Sequence, residues 1–161
     1  SSRERAEAFL EIGNAHYQES IEHKGLTVKA GVFELLKRLQ QRGIRVALAT
    51  SSERKKALLK LERSGLGGVF DPITCGCEVL KSKPEPDIYL RTADRLQLGV
   101  ESCLVIEDSP NGVRAGVAAG MRTVLVPDLA PISEEIRTLA TWVCADLNEV
   151  SERLGLGIVS V

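Results

Sequence analysis

The sequence lacks any long apolar run and any excess of charge of one sign. No apolar stretch in its 161 residues approaches the roughly 20 residues that a helix needs to cross a bilayer. Its 21 Lys and Arg residues stand against 22 Asp and Glu residues, for a formal net charge of −1. A chain so balanced has no bulk electrostatic attraction for nucleic acid or for a membrane surface. We therefore expect neither as a partner.

Cysteine is also scarce, and its spacing does not predict a metal site. Of the four cysteines, Cys75 and Cys77 form one close pair, without a second pair at the spacing of zinc sites. Cys103 and Cys144 lie in apolar, strand-like runs, in which a cysteine usually acts as a small hydrophobic residue. We expect reduced thiols and a cytoplasmic protein.

What the sequence does contain is a regular alternation of apolar strands and amphipathic helices, without internal repeats. Its length, and a composition of 43% hydrophobic and 27% charged residues, are typical of one globular domain. Strands are predicted at residues 44–50, 69–75, 103–107, 122–126 and 142–145. Helices are predicted at residues 3–23, 86–97, 111–119, 132–140 and 148–154. Two further helices are predicted, one that begins at residue 32 and stops at Gly43 and one that is closed by Gly65. This alternation predicts right-handed crossovers and an α/β fold with a doubly wound, mostly parallel sheet.

Polar side chains follow three of these strands. The first strand ends in Thr-Ser-Ser at residues 50–52, Lys83 lies in the loop after the second strand, and Glu107 and Asp108 end the third. Ligands of parallel α/β sheets gather beyond the carboxyl ends of the strands. The sequence therefore predicts a functional site at this edge of the sheet.

The hydroxyls and the lysine fit a phosphate site, although each has a simpler interpretation. Residues 50–52 supply hydroxyl and N–H groups next to the positive end of a helix, which suits a phosphate; they could equally cap that helix. Lys83, stiffened by Pro84 and Pro86, could neutralise a phosphoryl group or be a solvated surface lysine.

The adjacent carboxylates of Glu107 and Asp108 are the strongest signal. Mg²⁺ accepts one or two carboxylates together with water and substrate phosphate. The alternative is a pair of helix-capping acids, with Asp108 bonding backbone N–H groups. The residues alone leave both interpretations open. Gly112 and Gly116 predict a smooth helix face that can approach the sheet closely.

Three segments in register resemble a known family. LATSS, KSKPEPDIYL and CLVIEDSPNGVRAGVAAGM resemble the second, third and fourth motifs of the haloacid dehalogenase-like hydrolases, in the branch of β-phosphoglucomutases and small-phosphate-ester phosphatases. The resemblance covers roughly residues 29–150 and implies a Rossmann-like core. It implies catalytic roles for Thr50 and Lys83, phosphate or substrate binding by Thr50, Ser51, Ser52, Lys83 and Asn111, and Mg²⁺ binding, directly or through water, by Glu107 and Asp108.

The chain also departs from this family. Its members begin with a strand that ends in Asp-x-Asp-Gly-Thr, where the first Asp is the nucleophile and the second the general acid/base, and no such motif occurs here. Residues 1–28 resemble the last part of a helical cap. The core at residues 29–161 is expected to lack the nucleophile-bearing strand, which in the family lies mid-sheet. We expect a piece of a longer protein; the alternative is a complete, degenerate domain.

The resemblance implies a Mg²⁺-dependent phosphatase of a small phosphorylated metabolite, such as a sugar phosphate, acting through an aspartyl-phosphate whose Asp lies outside the chain. A β-phosphoglucomutase-type mutase is one alternative. Another is a catalytically inactive binding or regulatory domain, and a third is a receiver-like domain, which carries its acids at the first strand instead. We expect a monomer or weak dimer, and no activity from the 161 residues alone.

Overall fold

The computed structural model describes residues 28–156 and, as backbone only, residues 7–10. The strands are β1 (Glu7–Leu10), β2 (Val46–Thr50), β3 (Ile73–Cys75), β4 (Cys103–Glu107), β5 (Arg122–Leu125) and β6 (Trp142–Val143), and the helices are α1 (Val32–Gln41), α2 (Arg54–Arg63), α3 (Asp87–Leu96), α4 (Pro110–Ala118), α5 (Glu134–Leu139) and α6 (Leu147–Arg153). Short 3₁₀ helices at Gly76–Glu78 and Val100–Ser102 follow β3 and precede β4.

The strands form one parallel sheet in the order β3-β2-β1-β4-β5-β6. The chain winds outward from β1 to β3 and then returns to the other side of β1 to build β4, β5 and β6. The winding direction therefore reverses between β1 and β4, and the crevice beyond the carboxyl ends of these strands is the usual ligand position in such sheets. The predicted α/β, doubly wound class is confirmed.

The centre of the sheet differs from the prediction. Residues 7–10 were expected within a helix of residues 3–23, but they form β1, and the helix prediction is wrong there. β1 pairs with both β2 and β4. A strand between them satisfies the facing backbone N–H and C=O groups of two ladders, which a helix cannot do, and this outweighs the helical spacing of the apolar residues. The rest of that predicted helix lies outside the described residues.

Helices cover both faces of the sheet, and successive residues of a strand face opposite layers. On β4, Leu104 and Ile106 join a buried cluster with the apolar face of α1 and with α6. Cys103 and Val105 join a second cluster with α3 and α4. β4 is buried along its whole length, which explains why the four residues before Glu107 form a continuous apolar run.

Close helix-to-sheet packing confirms the expectation for the glycines of α4. A Cβ at Gly116 would lie 2.5 Å from Thr123 Oγ1 on β5, and a Cβ at Gly112 would overlap the carboxylate of Glu107. The missing side chains therefore let α4 lie directly on the strands that end at the predicted site.

The four cysteines are free thiols: Cys75, Cys103 and Cys144 are buried, and Cys77 is exposed. Burial raises the pKa of the Cys75 and Cys144 thiols, which disfavours their reactive thiolate forms. Among the helices of residues 28–156, none combines the length and apolar character of a bilayer-spanning segment.

Glu78 joins α2, β3 and α3 through charged hydrogen bonds. Its Oε2 accepts from Arg54 Nη2 at 2.9 Å and from the Cys75 N–H at 2.7 Å, and its Oε1 accepts from Arg95 Nη2 at 2.7 Å. Burial raises the pKa of Glu78, but the hydrogen bonds from Arg95, the Cys75 N–H and Arg54 outweigh it and lower that pKa to about 2. The ionised carboxylate is therefore favoured in the folded state.

The hydrogen bonds of Glu78 with Arg54, Arg95 and the Cys75 N–H, called the Glu78 clamp below, predict that the protein loses stability in acid. The ordinary pKa of the carboxyl is 4.5 and the folded value is about 2, so its contribution is complete above pH 4.5 and is lost as the pH falls toward 2. We expect Glu78→Gln to lower the free energy of unfolding in urea at pH 7 by about 1 kcal/mol. The difference from wild type should shrink at pH 3. Glu62→Gln, at an exposed position on α2, is the control, and a pH-independent difference for Glu78→Gln would contradict the clamp.

Candidate active site

The carboxyl ends of β2 and β4 bring three of the predicted site residues together. Thr50 ends β2 and Glu107 ends β4. Lys83, from the loop between β3 and α3, reaches both strands, because its Nζ donates to the Ala49 carbonyl at 3.3 Å and to Glu107 Oε1 at 2.7 Å. Since β1 lies between these strands, the ammonium group bridges the carboxyl end of the central strand.

The carboxylate of Glu107 is fully buried, with a side-chain exposure of 0%. Its Oε1 also accepts from the Tyr89 hydroxyl at 2.5 Å. Its Oε2 accepts from the N–H groups of Asp108 and Ser109 at 3.1 and 3.2 Å, and from Ser109 Oγ at 3.0 Å. Both oxygens are thus engaged in anchoring Lys83 and the turn between β4 and α4.

The start of α4 holds this carboxylate from the other side. Ser109 is the N-cap of α4, and its Oγ accepts from the Gly112 N–H at 3.1 Å. Because the N-terminus of a helix carries partial positive charge, its position beside Glu107 stabilises the ionised carboxylate. The N-cap of α4 is thus Ser109 and neither acid: Glu107 accepts from the N–H groups of Asp108 and Ser109, which precede the helix, and Asp108 accepts from a lysine.

The Lys83 ammonium is almost as buried as its partner, with 4% side-chain exposure, and lies 4.8 Å from the centroid of the Tyr89 ring. Burial lowers the pKa of Lys83, and the negative charges of Glu107 and Asp108 oppose this shift. Burial and the Glu107 charge raise the pKa of Tyr89 well above its usual range. The phenol therefore keeps its proton and donates a hydrogen bond to the carboxylate.

Asp108 lies at the same edge but makes different contacts. Its Oδ2 accepts from Lys29 Nζ at 3.0 Å. The same Nζ lies 3.6 Å from Oδ2 of Asp128, in the segment after β5. Burial raises the pKa of Asp108, and the Lys29 ammonium opposes that shift. Two carboxylates thus surround one cation next to the Lys83–Glu107 pair.

The turn after β2 supplies the hydroxyl groups. Thr50 is buried at 4% exposure, and its Oγ1 accepts from the Ser52 N–H at 3.2 Å. The N-cap position of α2 is Glu53, so none of residues 50–52 occupies the capping position that the alternative interpretation assigned to them. A Cβ at Gly76 would lie 2.7 Å from the Ser51 carbonyl oxygen, so the turn is braced by the segment that follows β3.

The remaining predicted residues are exposed or half-buried at the starts of the turn after β2 and of α4. Ser51 is exposed and Ser52 half-buried in the turn, and Asn111 is exposed in the first turn of α4. The roles assigned to these residues stay predictions.

Sequence reasoning missed Lys29, Tyr89 and Asp128. Asp128 lies three residues after the end of β5, so a strand-end criterion that included the following loop could have found it. The other two are recognisable only from their contacts.

Comparisons with known proteins show the family to which the chain belongs. The family model for haloacid dehalogenase-like hydrolases matches residues 2–126. Protein CbbY of Rhodobacter capsulatus is 36% identical over 82% of this chain and 59% of its own length. A phosphorylated carbohydrates phosphatase of Thermotoga maritima is 39% identical over 58% of this chain and 44% of its own length. The chain thus spans about half the length of the curated relatives it matches.

A solved structure extends the agreement to three dimensions. A CbbY variant from Rhodobacter sphaeroides, in complex with xylulose-(1,5)bisphosphate, superposes with a TM-score of 0.72 at 28% identity. The match covers 84% of this chain and 61% of that one.

Proposed function

The chain belongs to the haloacid dehalogenase-like hydrolases, and from that premise we propose that its whole protein is a Mg²⁺-dependent phosphatase of a small phosphorylated metabolite, such as a sugar phosphate. The observation that supports this most strongly is the buried Lys83 ammonium, held between the Ala49 carbonyl and Glu107 at the carboxyl end of the central strand. A fixed cation in a buried site stabilises negative charge that develops on a phosphoryl group.

The residues at this edge of the sheet bind different parts of the substrate. Thr50 and Lys83 contact the transferring phosphoryl group, through the Thr50 hydroxyl and the Lys83 ammonium, and the Ser51 N–H lies beside them. The family resemblance assigns Ser52 to more distant phosphate or hydroxyl groups of the substrate, and Asn111, exposed in the first turn of α4, to substrate binding. Glu107 and Tyr89 act through Lys83, which they hold in place.

The donor set at the neighbouring corner fits Mg²⁺ in part. The carboxylates of Asp108 and Asp128 surround the Lys29 ammonium, so this corner accommodates a cation. Within residues 28–156, no three His, Cys, Asp or Glu side chains are grouped to hold a metal alone, but Mg²⁺ commonly uses one or two carboxylates with water and substrate phosphate. Asp108 would hold it directly and Glu107 through water. Bound there, Mg²⁺ would act as a Lewis acid toward the phosphoryl oxygens.

The attacking group is assigned to an aspartate outside this chain. β1 (Glu7–Leu10) has the sequence EAFL and brings no aspartate to the sheet centre. In a longer protein, an aspartate-bearing strand would take the central place that β1 takes here, and residues 1–28 would belong to the cap. The aspartate oxygen would attack phosphorus while the ester P–O bond breaks and the leaving oxygen takes a proton from the second aspartate of the upstream motif; water would then hydrolyse the acyl phosphate.

Phosphate release from a panel of sugar phosphates tests the proposal. We expect release by the protein expressed from the gene extended upstream, lost when EDTA removes Mg²⁺, and none by the 161-residue chain alone. Turnover by that chain would contradict the placement of the nucleophile. An upstream sequence without Asp-x-Asp would favour the inactive binding domain, and a phosphosugar isomer as product would favour the mutase. Location in the cytoplasm and a monomeric or weakly dimeric state stay predictions.

A further inference from the structure

We propose that Lys29 is a positioning residue for the metal ligand: its ammonium holds Asp108 before a divalent cation arrives and passes to Asp128 when the cation binds. The inference rests on the proposed function, because Asp108 is the Mg²⁺ ligand assigned there. The Lys29 ammonium competes with the divalent cation for the Asp108 carboxylate, so the affinity for metal depends on Lys29.

The geometry gives Lys29 two carboxylates at unequal distances. Its Nζ lies 3.0 Å from Asp108 Oδ2, within hydrogen-bonding distance, and 3.6 Å from Asp128 Oδ2. The Asp108 side chain is 13% exposed, whereas that of Asp128 is 50% exposed. A small rotation of the lysine side chain therefore moves its charge from the more buried carboxylate to the more solvated one.

The backbone fixes all three partners at this edge. Asp108 and Asp128 follow β4 and β5, which are neighbours in the parallel sheet. The Lys29 carbonyl accepts from the Val32 N–H at 3.2 Å at the start of α1. The turn before α1 packs tightly, since a Cβ at Gly31 would lie 3.2 Å from the Leu147 Cβ of α6. The lysine stem thus starts from a fixed point, and only its end needs to move.

The charges determine the direction of the effect. An ammonium 3.0 Å from Asp108 Oδ2 occupies the space in which a divalent cation would contact that oxygen, and it repels a second cation. Asp128 offers the displaced ammonium a second partner, which lowers the cost of displacement. Because Lys29 is about one-third exposed, solvent screens its charge, and we expect an effect of about tenfold on metal affinity rather than a complete block.

Electron paramagnetic resonance of free Mn²⁺, titrated with the protein expressed from the gene extended upstream, measures this affinity without any assay of activity. We expect Lys29→Gln and Lys29→Met to bind Mn²⁺ about tenfold more tightly than wild type. Lys29→Arg keeps the charge and should not tighten binding. Lys37→Gln, at an exposed position of α1, is the matched control and should leave the dissociation constant within about twofold of wild type.

A double-variant comparison tests the transfer to Asp128. Asp128→Asn should weaken Mn²⁺ binding in the wild type, where the ammonium needs a second partner. It should weaken binding less in Lys29→Gln, where no ammonium has to move. Equal weakening in both backgrounds would overturn the transfer.

The remaining outcomes separate this inference from the proposed function. Equal affinity of wild type and Lys29→Gln, with binding lost in Asp108→Ala, overturns the role of Lys29 alone. Mn²⁺ binding that persists unchanged in Asp108→Ala overturns the metal assignment in the proposed function, and this inference with it. Undetectable binding by folded Lys29→Gln also overturns both.

Discussion

Glu107→Gln is expected to lower the free energy of unfolding of the 161-residue chain by about 3 kcal/mol, although it replaces a single carboxylate oxygen. The side chains of Lys83 and Glu107 are 4% and 0% exposed, so loss of the carboxylate charge leaves a buried ammonium unpaired. The amide NH₂ also replaces one of two accepting oxygens, so the hydrogen bonds at that oxygen, either from Lys83 and Tyr89 or from Ser109 and the turn, are lost. Urea unfolding monitored by circular dichroism measures the difference.

Two further variants identify the cause of the loss. Lys83→Met combined with Glu107→Gln should be less destabilised than Glu107→Gln alone, because the unpaired ammonium has been removed. Glu101→Gln, at an exposed position just before β4, should stay within about 0.5 kcal/mol of wild type. A loss of less than about 1 kcal/mol in the free energy of unfolding for Glu107→Gln would contradict a buried ion pair between Lys83 and Glu107.

Parts of the sheet could be predicted because strands such as β2 and β4 are buried on both faces. β4 has the same bounds in the prediction and in the structure, since its first four residues are a continuous apolar run and its fifth, Glu107, begins the acidic pair. β1 could not be predicted in this way. Its identity as a strand depends on pairing with β2 and β4, partners that lie tens of residues away in the sequence, whereas the local spacing of apolar residues favours a helix.

The sequence predicted which residues form the candidate site, but not which of them contact each other. Strand ends and motif spacing identified Thr50, Lys83, Glu107 and Asp108. The sequence could not show that the adjacent acids differ, because their separation depends on side-chain direction: Glu107 turns into the core toward Lys83, and Asp108 turns toward Lys29. Tyr89 has the helical spacing of an ordinary core residue, and only its hydroxyl contact distinguishes it.

Asp108→Ala is expected to reduce the Mg²⁺-dependent phosphate release of the whole protein by at least about a hundredfold. The Asp108 carboxylate contacts the Lys29 ammonium, whereas both oxygens of Glu107 are engaged by Lys83, Tyr89, Ser109 and the turn. Its removal leaves Lys29 with Asp128 as a partner, so the fold should be retained. Thermal unfolding of the variant checks this, and Asp94→Ala, at an exposed position near the far end of α3, is the matched carboxylate control.

The most direct test of the metal assignment is the rate of phosphate release from a sugar phosphate by the upstream-extended protein. This rate is compared between wild type and Asp108→Ala at saturating Mg²⁺. The site described here predicts release by wild type and by Asp94→Ala, and a loss of at least about a hundredfold in folded Asp108→Ala. Release by Asp108→Ala at the wild-type rate would contradict a phosphatase whose metal is held at the carboxyl end of β4.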